Sequence, residues 1–165
     1  MVSPPDAGRS VGFGSPLDKW LLKRMLRLAK RYAFSASHRL HSGLLSEEEN
    51  ARLFGKCNNP FGHGHNYVLE VSVTGEGDPE SGMLLSRAEL DRLVEKAVLS
   101  KVDHANLNTD VPAMRGVVPT TENLALAIAS WLQEACEKEL QGRAVRLDRV
   151  RIEETTRNTV EVTYG

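Results

Sequence analysis

The chain has 165 residues, of which 41 % are apolar and 26 % charged, and its formal net charge is −1. That suits one soluble globular domain with a real core, and it excludes the global field that would draw in nucleic acid or an anionic membrane. No uninterrupted apolar run is long enough to span a bilayer, no secretory leader is expected, and two distant cysteines, Cys57 and Cys136, exclude both a disulfide scaffold and a four-cysteine zinc site.

Residues 1–30 form an N-terminal extension. Its first sixteen residues are rich in Gly, Pro and Ser and read as a loosely docked or disordered tail. In "SPLDKWLLKRMLRLAKR", Leu17, Trp20, Leu21, Met25 and Leu28 recur at helical spacing between basic residues, with Ser15 and Pro16 as a start. This predicts a short basic helix. Asp6 and Asp18 argue against an organelle-targeting segment. The single catalytic domain is expected over 31–165. "RYAFSASHRL" alternates, with Tyr32, Phe34, Ala36 and His38 on one strand face. "SGLLSEEEN" reads as an exposed excursion, and His41 before it as a surface residue. "YVLEVSVTG" alternates again through Tyr67, Leu69, Val71 and Val73, and Gly77 to Gly82 make a turn.

Ser86 and Glu89 then form a capping box ahead of a helix whose stripe is Leu90, Leu93, Val94, Ala97 and Val98. "DHANLNTDVP" is a loop. A second helix starts at Thr120 or Thr121 and buries Leu124, Ile128, Trp131, Leu132 and Cys136. "AVRLDRVRIEE" and "TVEVTY" are two more strands, joined by "TTRN". Strands grouped apart from helices predict an α+β fold: a four-stranded antiparallel sheet with two helices on one face. Such a sheet has two exposed edges, which partner subunits could cover.

Histidine is scarce, and "HGH" sets His63 and His65 two apart, on one face of a strand. His38 ends another strand whose face is otherwise apolar. Three neutral imidazoles with an open fourth position make a catalytic zinc site. Five residues separate Cys57 from His63. As a ligand, Cys57 would close the site and make it structural. As a free thiolate, it would be a base or nucleophile, its pKa lowered by Lys56 and a nearby dication. Asp103 beside His104 can fix the imidazole's tautomer and form a proton relay. Glu154 lies on the same strand face as Val150 and Ile152, and a carboxylate there wants a partner. It could accept two N–H bonds from a ring such as a pterin. Glu122 also suits a helix N-terminus by its charge. No Gly-rich dinucleotide loop occurs.

Taken together, "FSASHRL", "LFGKCNNPFGHGHNY", "GMLL", "DHANLNTDVP", "TTEN" and the "ET" of "EETTRN" resemble the 6-pyruvoyltetrahydropterin synthase family over about Phe34 to Tyr164. The resemblance implies the tunnelling fold, with subunits forming a barrel and two trimers stacking as a homohexamer. It implies zinc on His38, His63 and His65, with Cys57 as general base. Asp103 and His104 would be a relay reaching a site shared between subunits. Glu154 would be the pterin anchor, with Thr120, Thr121 and Glu122 beside it. The implied reaction converts 7,8-dihydroneopterin triphosphate to 6-pyruvoyltetrahydropterin and triphosphate. Mg2+ with that triphosphate is left open, and Arg39, Lys56, Arg146 and Arg151 are the basic residues considered for it. The expected compartment is the cytoplasm, with organelle targeting by the extension left open, and neither nucleic acid nor membrane is an expected partner. "TTRN" departs from the family's usual Asp-Asn pair. Relatives that form 6-carboxytetrahydropterin usually carry the cysteine closer to HGH. A carboxy-forming or bifunctional enzyme and a non-catalytic zinc-binding assembly protein are the alternatives.

Overall fold

The computed structural model describes residues 25–165. Strands β1 (Leu26–His38) and β2 (His63–Gly75) pair antiparallel without a break, from Leu26 opposite Gly75 to His38 opposite His63. Their alternation explains the pairing. Phe34, Ala36 and His38 on β1 are buried on the same face as Tyr67, Leu69, Val71 and Val73 on β2. Fully burying a side chain such as Leu69 or Val71 is worth about 1.5–3 kcal/mol. Between the two strands lie α1 (Glu47–Phe54), opened by a Ser46–Glu49 capping box, and a 3-10 turn (Gly55–Asn58). Helix α2 begins as Arg87–Val94 and passes through a π-helical turn (Glu95–Leu99) into a last turn (Ser100–Val102). Next come β3 (Ala105–Asn106), α3 (Thr121–Glu139), β4 (Val145–Thr155) and β5 (Asn158–Thr163).

The sheet order is β3-β1-β2-β4-β5. β4 sets Ile152 opposite Leu69 and Val150 opposite Val71, which continues the buried face. Leu90, Leu93, Val94 and Val98 of α2, with Leu124, Ile128 and Leu132 of α3, close over it in one core cluster. The other sheet face is polar and carries pairs such as Arg31–Glu153, Arg149–Glu70 and Arg151–Glu161.

Three expectations change. The sheet is mixed and five-stranded rather than four-stranded antiparallel, because β3 pairs parallel to β1 at Ala36 and Ser37. There are three helices among the described residues, since the excursion after His41 forms α1. Its Ser46–Glu49 capping box compensates for a helix whose only buried residue is Asn50. Finally, Leu26–Arg31, expected at the end of a basic helix, form the start of β1, which runs across the boundary expected at residue 31. Leu28 satisfies both periods, and pairing with β2 decides between them. Leu17, Trp20 and Leu21 lie outside the described residues.

Candidate metal and pterin site

Antiparallel register builds the histidine cluster. His38 pairs with His63 and Ala36 with His65, so all three imidazoles project from one face at one end of the sheet. Their ring centroids lie 4.6–5.0 Å apart, and His38 is almost fully buried. The Nδ1–H of His38 donates to the Pro119 carbonyl at 2.9 Å, which leaves Nε2 with a free lone pair. His38 Nε2, His63 Nδ1 and His65 Nε2 are all buried without a hydrogen-bond partner. Leaving a buried polar group unsatisfied costs about 1–3 kcal/mol, and a shared cation would satisfy all three. Burial lowers the pKa of His38 and of His63, which favours the neutral, ligating form.

Two more groups crowd this cluster. The Cys57 thiol falls within 4.8 Å of ligating atoms of His38 and His63, and a Glu154 oxygen within 4.8 Å of those of His38 and His65. The residues therefore suit a metal held by three imidazoles with further positions facing a thiol and a carboxylate. Cys57 is half-buried on the 3-10 turn. Its pKa is raised, first by burial and then by the Glu154 charge. That corrects the expectation of lowering by Lys56, which is exposed. A dication at the histidines would act in the opposite sense.

Glu154 stands where the β4–β5 register shifts, between Glu153 and Thr155. Such an irregularity re-aims a side chain, here towards the histidines. Asn158 Nδ2 donates to its Oε2 at 2.8 Å, and the Tyr67 hydroxyl reaches Oε1 at 3.5 Å. Burial pushes the Glu154 pKa up, but bonds from Asn158 and Thr121 and the nearby His65 and His38 outweigh it, so the net shift is downward. Glu154 Oε1 lies 3.9 Å from His38 Nε2, a contact with a neutral ring rather than an ion pair.

The threonines divide their work. Thr120 caps α3, its Oγ accepting from the Asn123 N–H. Thr121 is buried and its Oγ1 accepts from Asn158 Nδ2 at 3.2 Å. Glu122 is exposed in the first turn. Asp103 and His104 join neither cluster of ligating atoms. They are tied to the edge of β1 instead: Ser35 N–H donates to Asp103 Oδ1 at 2.9 Å, and His104 N–H to Ser35 O at 2.6 Å. His104 takes a left-handed φ of 58° and its ring is 82 % exposed, with Nε2 3.7 Å from Asp103 Oδ2. Beside it Ser35, Ser37 and Asn66 line a depression of about 290 Å3. These residues alternate with Phe34, Ala36 and His38, so they belong to the opposite face of the sheet.

Of the basic residues considered for triphosphate, Arg39 bonds Asn58 O, Arg146 bonds Gly165 O, and Arg151 pairs with Glu153 and Glu161. His41, expected at the surface, is half-buried, with Arg39 and Asn58 at its Nδ1. Sequence reasoning missed Pro119, the Tyr67 hydroxyl and Asn158. Only Tyr67 carried a signal, because a buried tyrosine needs a partner for its hydroxyl.

Comparison with known proteins places this geometry. A family model described as 6-pyruvoyl tetrahydropterin synthase matches residues 27–164. A human protein named 6-pyruvoyl tetrahydrobiopterin synthase is 53 % identical over 108 residues, 66 % of this chain and 74 % of that protein. One of the same name from Poecilia reticulata is 44 % identical over 138 residues, 84 % of this chain and 90 % of that one. The solved structure of the Caenorhabditis elegans 6-pyruvoyl tetrahydropterin synthase superposes with a TM-score of 0.78 at 39 % identity, covering 86 % of this chain and 97 % of that one.

Proposed function

The chain belongs to the 6-pyruvoyl tetrahydropterin synthase family, and on that premise we propose how its residues share the family's reaction. The protein is a lyase that converts 7,8-dihydroneopterin triphosphate to 6-pyruvoyltetrahydropterin with elimination of triphosphate. The strongest support for the residue roles is the set of three buried, partnerless ring nitrogens with a thiol and a carboxylate in ligand range.

His38, His63 and His65 would hold a zinc ion, which would supply Lewis-acid chemistry to the substrate side chain. Glu154 accepts the ring and amino N–H groups of the pterin. Its depressed pKa keeps it ionised, as an acceptor must be. Thr121 and Asn158 hold that carboxylate, and Thr120 and Glu122 flank it. Cys57, as thiolate, takes a carbon-bound proton of the substrate side chain. The electron pair released expels triphosphate from the neighbouring carbon. Tautomerisation then moves reducing equivalents from the side chain into the ring, so no external reductant is needed. Asp103 and His104 carry protons in those steps.

Their exposure at the β1 edge suits a dyad that serves a neighbouring subunit's site. β3 covers the outer side of β1 only at Ala36 and Ser37, and β5 is the other border strand. Two such edges suit pairing between copies into a trimeric barrel and a hexamer of two trimers. Both cysteines are free, in keeping with the cytoplasm, and no helix among the described residues is long and apolar enough to cross a membrane.

The test is incubation of the purified holoenzyme with 7,8-dihydroneopterin triphosphate, with product identification by mass and triphosphate release. A 6-carboxy product without the pyruvoyl product would overturn this assignment in favour of the carboxy-forming reading. In parallel, Cys57→Ala should cut turnover to a small residual rate while zinc is retained. Full activity would remove the base assignment, and loss of zinc would make Cys57 a ligand.

A further inference from the structure

The loop that carries Cys57 has almost nothing apolar to hold it. Across residues 51–62, Asn58 alone is buried. Phe61, the large apolar residue of the turn, is 96 % exposed. The thiol's place must therefore be set by polar contacts, and these converge on the three residues after His38. Leu40 N–H donates to the Cys57 carbonyl at 2.8 Å. Asn58 Nδ2 donates to the Leu40 carbonyl at 3.0 Å and lies 3.3 Å from His41 Nδ1. Arg39 Nε donates to the Asn58 carbonyl at 3.2 Å.

Arg39 is itself fixed from the other side. Its N–H donates to Asn108 Oδ1 at 2.8 Å, and Asn108 Nδ2 donates to its carbonyl at 2.9 Å. The far end of the turn lies against His38. Gly62 has a left-handed φ of 69°, and a Cβ there would meet the His38 carbonyl oxygen at 2.9 Å.

We propose that Asn58 is a positioning residue: it clips the Cys57 turn to the Leu40 backbone and so fixes the thiol against the histidine cluster. The inference rests on the reading of Cys57 as base. It concerns where the thiol sits, and the contacts of Asn58 run to Arg39, Leu40 and His41.

The experiment compares Asn58→Leu, which keeps bulk but loses the amide, with wild-type holoenzyme, using Asn58→Ala as a second variant should the leucine not fold. kcat should fall about 10- to 100-fold, the scale set by small misplacements of a catalytic group. KM and bound zinc should hold, and amide exchange across residues 55–62 and at Leu40 should quicken. In a Cys57→Ala background, adding Asn58→Leu should leave the residual rate unchanged, because the two residues act through one thiol. A wild-type kcat, unchanged exchange, loss of zinc, or a multiplicative loss in the double variant would each overturn the proposal. Full activity of Cys57→Ala alone would sink the base assignment instead, and the exchange measurement would still decide whether the clip exists.

Discussion

Glu154→Gln tests the proposed anchoring role of this carboxylate apart from the rest of the pocket. In the wild type, Oε2 accepts from Asn158 at 2.8 Å and Oε1 faces the Tyr67 hydroxyl at 3.5 Å. A glutamine nearly preserves the shape but removes the charge and turns one acceptor into a donor. The pocket's own hydrogen bond then changes from a charged to a neutral one. Typical values fall from about 1.5–3 to about 0.5–1.5 kcal/mol, a loss near 1 kcal/mol that is partly offset because no charge is buried. The fold should therefore survive. For the substrate, one of two N–H bonds is lost outright and the other loses its charge assistance. That is about 2–4 kcal/mol, or roughly 30- to 1000-fold in kcat/KM. Steady-state kinetics with 7,8-dihydroneopterin triphosphate, alongside metal analysis and thermal melting, reads all three quantities. A change in kcat/KM below about threefold with zinc and melting unaltered would refute the anchoring role.

His63→Ala should strip zinc from the purified protein, as measured by metal analysis, while circular dichroism stays native. His63 stands at the first residue of β2, outside the core cluster. A fully metallated variant would remove it from the ligand set. The pH dependence of Cys57 alkylation gives a third check. In metal-free protein, burial and then Glu154 raise the thiol pKa, so reactivity should rise only above the ordinary thiol value of about 8.5. Zinc loading should move that midpoint down, since a cation favours thiolate. Cys136, buried with its pKa pushed up to about 11, does not compete. A metal-free midpoint below the ordinary value would contradict the burial argument.

Two elements show why parts of the fold escape a sequence reading. β3 is two residues long and exists because β1 offers an open edge at Ala36 and Ser37. No periodicity can announce so short a pair. α1 has no apolar stripe, so only its Ser46–Glu49 cap marks it. The site divides in the same way. The histidine cluster was legible because a two-residue spacing on a strand puts side chains on one face. Asn158 looked like an ordinary turn residue. It becomes a support for Glu154 only once the β4–β5 hairpin closes.

The sequence by itself determined which faces are buried, where the long helices start, and which residue types could make zinc and proton chemistry. Those follow from periodicity, capping and side-chain inventory, all local properties of the chain. Tertiary structure alone decided that Pro119 leaves His38 Nε2 free, across a separation of 81 residues. It also decided that Tyr67 meets Glu154 across 87, and that Asp103 and His104 dock on the β1 edge at Ser35 rather than among the clustered ligating atoms. Hydrogen bonds at such separations depend on how elements close in space, and no local pattern encodes them.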